Sequence, residues 1–250
     1  MSSNSVLVIT RGVQVMRLAL NRPNAANALN RELHEALITA LDVAAGDGAI
    51  SAVVLASNGG RVFSAGADLK ELAVDMSNPK PSAVAAQQGS DRLLRTLLTL
   101  IDFPKPLICA LQGKAIGAGA MLALAADEIH ADAGASFRFP EIALDMPSPM
   151  SVAMLQGRTT RPMVHRLVQQ GASISADEAL LAGLVDGVAP DAQLLNHADL
   201  RAAGLATGRA YAANKRWINL DLRRRLVDAA NESKRLRQAQ NIDRNPSHAT

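Results

Sequence analysis

Across residues 51–140, short apolar runs alternate with stretches whose apolar residues recur at helical spacing, and this alternation confines the chain to an α/β layer fold. Residues 51–57 read as a strand. Phe63-Ser-Ala-Gly-Ala-Asp-Leu-Lys-Glu-Leu72 reads as a strand end that passes through a small-residue turn into a helical turn. A helix is predicted over about 87–101, closed by Pro104-Lys-Pro106, and a strand over 107–111. Residues 113–127 then give a second small-residue turn and a helix whose small side chains permit close packing on a sheet. Short strands are expected at 128–130 and 136–139. Ahead of this block, runs at 6–10 and 13–20 flank Arg11-Gly12 as a β-hairpin. Asn30 is placed to cap a helix from Arg31 to about Ala44, with Leu33, Leu37, Ile38 and Leu41 on one face. Residues 73–88, with Asn78-Pro-Lys-Pro81, read as a mobile excursion. Beyond 147 the pattern is helical, with only 184–188 strand-like, and a soft boundary divides residues 1–190, the core, from 191–250, a C-terminal helical region.

Composition removes several classes of function. Aromatic residues are 2% of the chain, so stacking platforms for single-stranded nucleic acid are scarce. The lone Cys109, inside an apolar run, rules out a disulfide framework and a multi-cysteine metal site, and reads as a small buried hydrophobe. His34, His130 and His165 share no metal-ligand spacing, so no metal is expected. The longest nearly apolar run, residues 115–126, is too short to span a bilayer, and no secretory pattern opens the chain. The expectation is a soluble protein of a reducing, cytoplasmic setting. Net charge is +3, concentrated in residues 201–250, where eleven Lys/Arg face four Asp/Glu. With Leu222, Leu226, Val227, Ala230 and Leu236 interspersed, that run reads as the solvated face of a packing helix.

Two turns could carry chemistry. Ala65-Gly-Ala67 and Gly117-Ala-Gly119 each put backbone N–H groups at the mouth of a sheet, just ahead of a helix, where they could meet an anion. Neither matches a dinucleotide fingerprint or a P-loop, and alone each is equally a packing device.

The order of motifs supplies more. Leu20-Asn-Arg-Pro-Asn-Ala-Ala-Asn-Ala-Leu29, the 63–72 segment, Pro104-Lys-Pro106 leading to Gln112-Gly-Lys-Ala-Ile-Gly-Ala-Gly119 and Asp127, then Phe139-Pro-Glu-Ile142 and the 174–186 segment, resemble the crotonase superfamily (the enoyl-CoA hydratase/isomerase family) over about residues 5–190. The resemblance implies a crotonase-like spiral of ββα turns, a homotrimer or dimer of trimers, and an acyl-CoA thioester substrate. Coenzyme A would enter as part of the substrate, with no other cofactor. By position the oxyanion-hole donors would be the amides of Ala67 and Ala118. Coenzyme A would lie along Ala65, Gly66, Asp68, Leu69 and Lys70 and near Asn24 and Ala25; Gly117 would also bind substrate, and Met121 reads as acyl-pocket lining or core. Asp68 and Lys70 also read as a helix cap and a surface charge, their backbone being the expected contact.

Hydratases of this family use two glutamates. Here the second is Glu141, and the first position holds Met121, whose thioether moves no proton. One carboxylate suffices to shift a double bond from the 3,4 to the 2,3 position, so isomerisation by Glu141 is the leading reading. The alternative is a hydratase or another acyl-CoA lyase or hydrolase in which Asp145 assists, if a helical turn puts it on the face of Glu141; equally, Asp145 could cap the helix after Pro147. Pro149 stands where an aspartate serves dienoyl isomerisation or thioester hydrolysis in other branches, which argues against both. A non-catalytic CoA-binding or RNA-binding member is the reading of another class. The Phe-x-x-Lys-Arg-x-Pro-like ending of many relatives is absent, leaving Lys215-Arg-Trp217 and Arg223–Arg225 as candidates for phosphate contact, with Trp217 also a candidate packing anchor.

Overall fold

The computed structural model describes residues 5–72 and 83–244, the side chains of the last helix as far as Ala239. The chain opens with strands β1 (Leu7–Arg11) and β2 (Val15–Leu20), helix α1 (Arg31–Gly46), β3 (Ala52–Ser57), β4 (Val62–Ser64), the single turn α2 (Leu69–Leu72) and α3 (Ala83–Asp102). There follow β5 (Leu107–Leu111), β6 (Lys114–Ile116), α4 (Ala118–Leu124), β7 (Glu128–Asp132), β8 (Ser136–Arg138), α5 (Pro149–Gln156) and α6 (Arg161–Val168). The last elements are β9 (Ser173–Ser175), α7 (Ala176–Leu181), β10 (Gly187–Ala189), α8 (Asp191–Gly204), α9 (Arg209–Ile218) and α10 (Leu220–Arg244).

Consecutive strand pairs divide between two sheets. The larger runs β1-β2-β3-β5-β7-β10, parallel apart from the β1–β2 hairpin; the smaller runs β4-β6-β8-β9, antiparallel only at its last pair. Each of β3/β4, β5/β6 and β7/β8 gives one strand to each sheet before a helix returns, which is the expected spiral of ββα turns.

Both faces of the larger sheet are covered. Val53 and Leu55 of β3 join the main core with Leu33, Leu37 and Leu97, while Val54 and Ala56 face Leu194, Ala198 and Ala202 of α8. A strand buried on both faces loses its alternation, which is why residues 51–57 read as one apolar run. Asn30 caps α1 as expected, accepting from the Leu33 amide at 3.0 Å. Cys109 is fully buried in β5, and burial pushes its thiol pKa up.

The helix expected from about 87 begins at Ala83; of the expected excursion at 73–88, residues 73–82 lie outside the described residues. The strand read at 184–188 is displaced to Gly187–Ala189, and β9 carried too little signal to be seen, having one buried side chain, Ile174, between two exposed serines. Among the described residues no helix is long and apolar enough to cross a membrane.

His34, buried between α1 and α3, shares a 2.8 Å hydrogen bond with Thr96 Oγ1. Burial, helped by the Arg92 guanidinium, pulls its pKa from 6.5 down to about 4. The folded state therefore prefers neutral imidazole. Its contribution is whole above pH 6.5 and is lost as pH falls toward 4, a total of about 3 kcal/mol. His34→Leu, which leaves the Thr96 hydroxyl its bond to Arg92 O, should flatten that part of the pH–stability curve in urea titrations.

Candidate active site

Three segments meet at one end of the smaller sheet. The first two are the chain after β2 and the chain after β4, which zip together: Leu29 N–H donates to Gly66 O at 2.8 Å, Ala65 N–H to Ala26 O at 2.9 Å, and Asp68 N–H to Leu29 O at 3.2 Å. Asn27 locks the pair from inside. It sits at φ 52°, almost wholly buried, accepting from Arg22 N–H and donating to the carbonyls of Asn58 and Val62. Ser64 is spent the same way: its hydroxyl donates to Asn27 O at 2.8 Å.

The third segment runs from β6 into α4, and here the glycines are required. Gly66 has φ +90°, and a methyl group built on it would lie 2.8 Å from Ile116 O and 3.3 Å from the Ala118 nitrogen. The turn carrying Ala67 therefore lies directly against the start of α4. A methyl group on Gly119 would fall 2.5 Å from Ser64 O, so α4 packs on the end of β4 at a distance only glycine allows. Ala118 opens α4, so its amide has no acceptor within the helix. Among the described residues, neither the Ala67 nor the Ala118 amide donates to a backbone carbonyl.

Glu141 completes the cluster. It lies in a 3-10 turn, Pro140–Leu144, after β8, and Gly117, at φ +52°, faces it: a methyl group there would be 2.8 Å from Glu141 Oε1. Glu141 Oε2 is buried without a hydrogen-bond partner among the described residues. Burial raises the carboxyl pKa, as an unpaired carboxylate in a dry site requires. Met121, one turn into α4, is buried and accepts a long 3.7 Å contact from Ser151 Oγ.

The sequence-predicted residues divide. Gly66, Ala67, Gly117, Ala118, Met121 and Glu141 come together. Asn24 and Ala25 form an exposed 3-10 turn, with Leu69 and Lys70 exposed beyond Ala67. Asp68 caps that helical turn through Lys70 N–H, and it also holds Arg22 in a 2.8 Å ion pair that the sequence did not announce. Asp145 is not on an α-helical face with Glu141. The intervening turn is 3-10, three residues per turn, and Asp145 ends it, exposed, at φ 54°. Nor does it cap α5, which Ser148 precedes.

The candidates for phosphate contact need correcting. Lys215 is buried, its ammonium 2.8 Å from Asp127, which also accepts from Tyr211 Oη and the Leu107 amide. It fastens α9 to the sheet. Arg223 pairs with Asp102 at 3.1 Å. Trp217 is 76% exposed, so it is no buried packing anchor among the described residues.

The ββα spiral thus brings two small-residue turns, whose Ala67 and Ala118 amides donate to no backbone carbonyl among the described residues, to one buried carboxylate. The chain belongs to the enoyl-CoA hydratase/isomerase family, whose model matches residues 10–244 and so runs on through the C-terminal helices. It is 38% identical over 200 residues to a 2,3-dehydroadipyl-CoA hydratase of Escherichia coli, covering 78% of this chain and 73% of the relative. It is 29% identical over 227 residues to a mitochondrial Δ(3,5)-Δ(2,4)-dienoyl-CoA isomerase of Pongo abelii, covering 88% and 69%. The solved apo structure of an Mtb enoyl-CoA isomerase superposes with a TM-score of 0.81 at 27% identity, covering 92% of this chain and 97% of that one.

Proposed function

We propose that the protein isomerises 3-enoyl-CoA thioesters to 2-enoyl-CoA, with Glu141 as the only acid/base and the amides of Ala67 and Ala118 as the oxyanion hole. The observation that carries this reading is the buried Glu141 carboxylate, its Oε1 against Gly117 and its Oε2 without a partner among the described residues, with a thioether, Met121, one turn of α4 beyond Gly117, at the position where family hydratases carry a second glutamate. Glu141 takes a proton from C2. The C–H electron pair forms the C1–C2 double bond, and the charge collects on the thioester oxygen between the two amides. When the thioester carbonyl re-forms, C2–C3 becomes the double bond and the former 3,4 π pair accepts the proton at C4 from Glu141. The step consumes no metal, redox cofactor or water. Coenzyme A would lie over the exposed Asn24–Ala25 turn and the backbone from Ala65 to Lys70. A homotrimer or a pair of trimers would give the exposed apolar Trp217 and Ile218 a surface to cover.

Hydration is the second reading, favoured by the dehydroadipyl-CoA hydratase relative. It needs a group to orient water, and Asp145 would have to turn inward to serve. Mass spectrometry and proton NMR of a 3-enoyl-CoA incubated with the purified protein separate the two. Accumulating 2-enoyl-CoA is the expected result; onward conversion to 3-hydroxyacyl-CoA establishes hydration as well, and unchanged 3-enoyl-CoA refutes isomerisation, with the same assay on a 2-enoyl-CoA then deciding hydration.

A further inference from the structure

The chain leaving the carboxyl ends of four neighbouring parallel strands, β3, β5, β7 and β10, surrounds a cavity of about 540 Å³. Gly60 and Arg61 line it from the turn after β3, Gly113 and Lys114 from the turn after β5, Asp132 from the end of β7, and Asp191 from the chain after β10. Open α/β sheets take up their ligands outside the carboxyl ends of parallel strands. The candidate active site is elsewhere, at the far ends of β4 and β6. Each of those strands is three residues long, so roughly 10 Å of strand separates Arg61 and Lys114 from the turns that carry Ala67 and Ala118.

The acids and the cations of this cavity differ in what they have left to bind. Asp132 is almost wholly buried, and its Oδ2 accepts from the Gly113 amide at 2.9 Å. Asp191 Oδ1 accepts from Gln112 Nε2. Arg61 and Lys114 are exposed, and neither side chain forms an ion pair or a hydrogen bond among the described residues. Gly113 brings these two cations together. At φ +74° it has no side chain to collide with Arg61 O, and Lys114 N–H donates to that carbonyl at 3.2 Å. Beside them nothing lies within 4 Å of a methyl group built on Gly60, so a ligand can approach the backbone there. A carboxylate would neutralise only one of the two cations. A phosphate monoester, with a charge of about −1.5 to −2 near pH 7 and three acceptor oxygens, matches both: the fork of the guanidinium and the point charge of the ammonium.

We propose that this cavity binds a phosphate dianion, free or as the head of a small ester, held by Arg61 and Lys114. The site is separate from the one assigned to acyl-CoA, and the proposal does not rest on that assignment. Calorimetric titration of the full chain with ribose 5-phosphate, inorganic phosphate and unphosphorylated ribose tests it. Ribose 5-phosphate should bind saturably and more weakly as salt is raised, and ribose should not bind. Arg61→Gln and Lys114→Gln should each weaken binding about tenfold or more, the loss of one charge-assisted contact. Both side chains are exposed, so these variants should keep the fold, which circular dichroism checks. Arg209→Gln, which removes an exposed cation outside the cavity lining, should leave binding unchanged. Tighter binding of ribose 5-phosphate than of inorganic phosphate supports the site and assigns it to an ester; equal binding supports the site and assigns it to the free ion. No saturable binding of either phosphate, ribose binding as tightly as its phosphate, or an equal loss in Arg209→Gln overturns the inference and leaves the acyl-CoA reading standing.

Discussion

Glu141→Gln should lower kcat/KM for a 3-enoyl-CoA by about a thousandfold or more, since removing a positioned acid/base forfeits most of a proton-transfer contribution of roughly 10²–10⁴. Met121, one turn of α4 beyond Gly117, has a thioether that can move no proton in its place. The same substitution should leave the fold as stable as before or more so. Glutamine keeps the shape and removes a charge whose Oε2 is buried without a partner, so the folded state sheds a desolvation cost. The pH dependence follows in sign. Burial raises the Glu141 pKa above 4.5, and only the ionised form can take the C2 proton, so the acid limb of kcat/KM should be displaced upward from the ordinary glutamate position. Stability moves the other way: the folded state favours the protonated acid, so the wild type gains relative to Glu141→Gln as pH falls through that raised pKa. A pH–rate profile for the wild type, with matched urea titrations of both proteins, checks each part. Loss of activity together with loss of stability would mean that Glu141 holds the turn rather than the proton.

What the sequence disclosed of this site follows the range over which each feature is encoded. The helix cap at Asn30, the hairpin and the small-residue turns depend on neighbours a few residues apart, and they stand where they were expected. The role proposed for the Ala67 and Ala118 amides has no side-chain signature and rests, in the sequence, on the ordered motifs alone. The Pro-Glu segment marked Glu141, but nothing in Pro140-Glu-Ile-Ala-Leu144 separates a 3-10 turn from an α-turn, so the sequence left open on which side Asp145 would fall. Lys215 sits among arginines on an amphipathic helix and reads as surface charge; Asp127, its partner, is 88 residues away and no local pattern joins them. Arg22 with Asp68 and Arg237 with Gln87 were hidden for the same reason. Helix α8 was legible as a helix and not as a wall of the core, because its buried face is Leu194 with Ala198 and Ala202.

Gly66→Ala should cost about a hundredfold to a thousandfold in kcat, the range that follows loss of one oxyanion donor, although it removes no hydrogen-bonding group. The cause is position. At φ +90° an L side chain is strained, and the new methyl would stand 2.8 Å from Ile116 O and 3.3 Å from the Ala118 nitrogen. Backbone on both sides can yield only by separating the turn that carries Ala67 from the start of α4. Two amides that must converge on one oxygen would then no longer do so. The loss should fall on kcat more than on KM, because an oxygen bearing full negative charge feels the displaced donors more than a ground-state carbonyl does. Gly60→Ala is the matched control. Its φ of +70° imposes a similar backbone penalty, but nothing lies within 4 Å of the added methyl, so it should cost about 1–2 kcal/mol of stability and leave kcat near wild type. If the two variants lose stability alike but only Gly66→Ala loses kcat, the spacing of the Ala67 and Ala118 amides is what the glycine protects; equal losses of kcat would mean that backbone strain alone is responsible and that these amides do not hold the oxyanion.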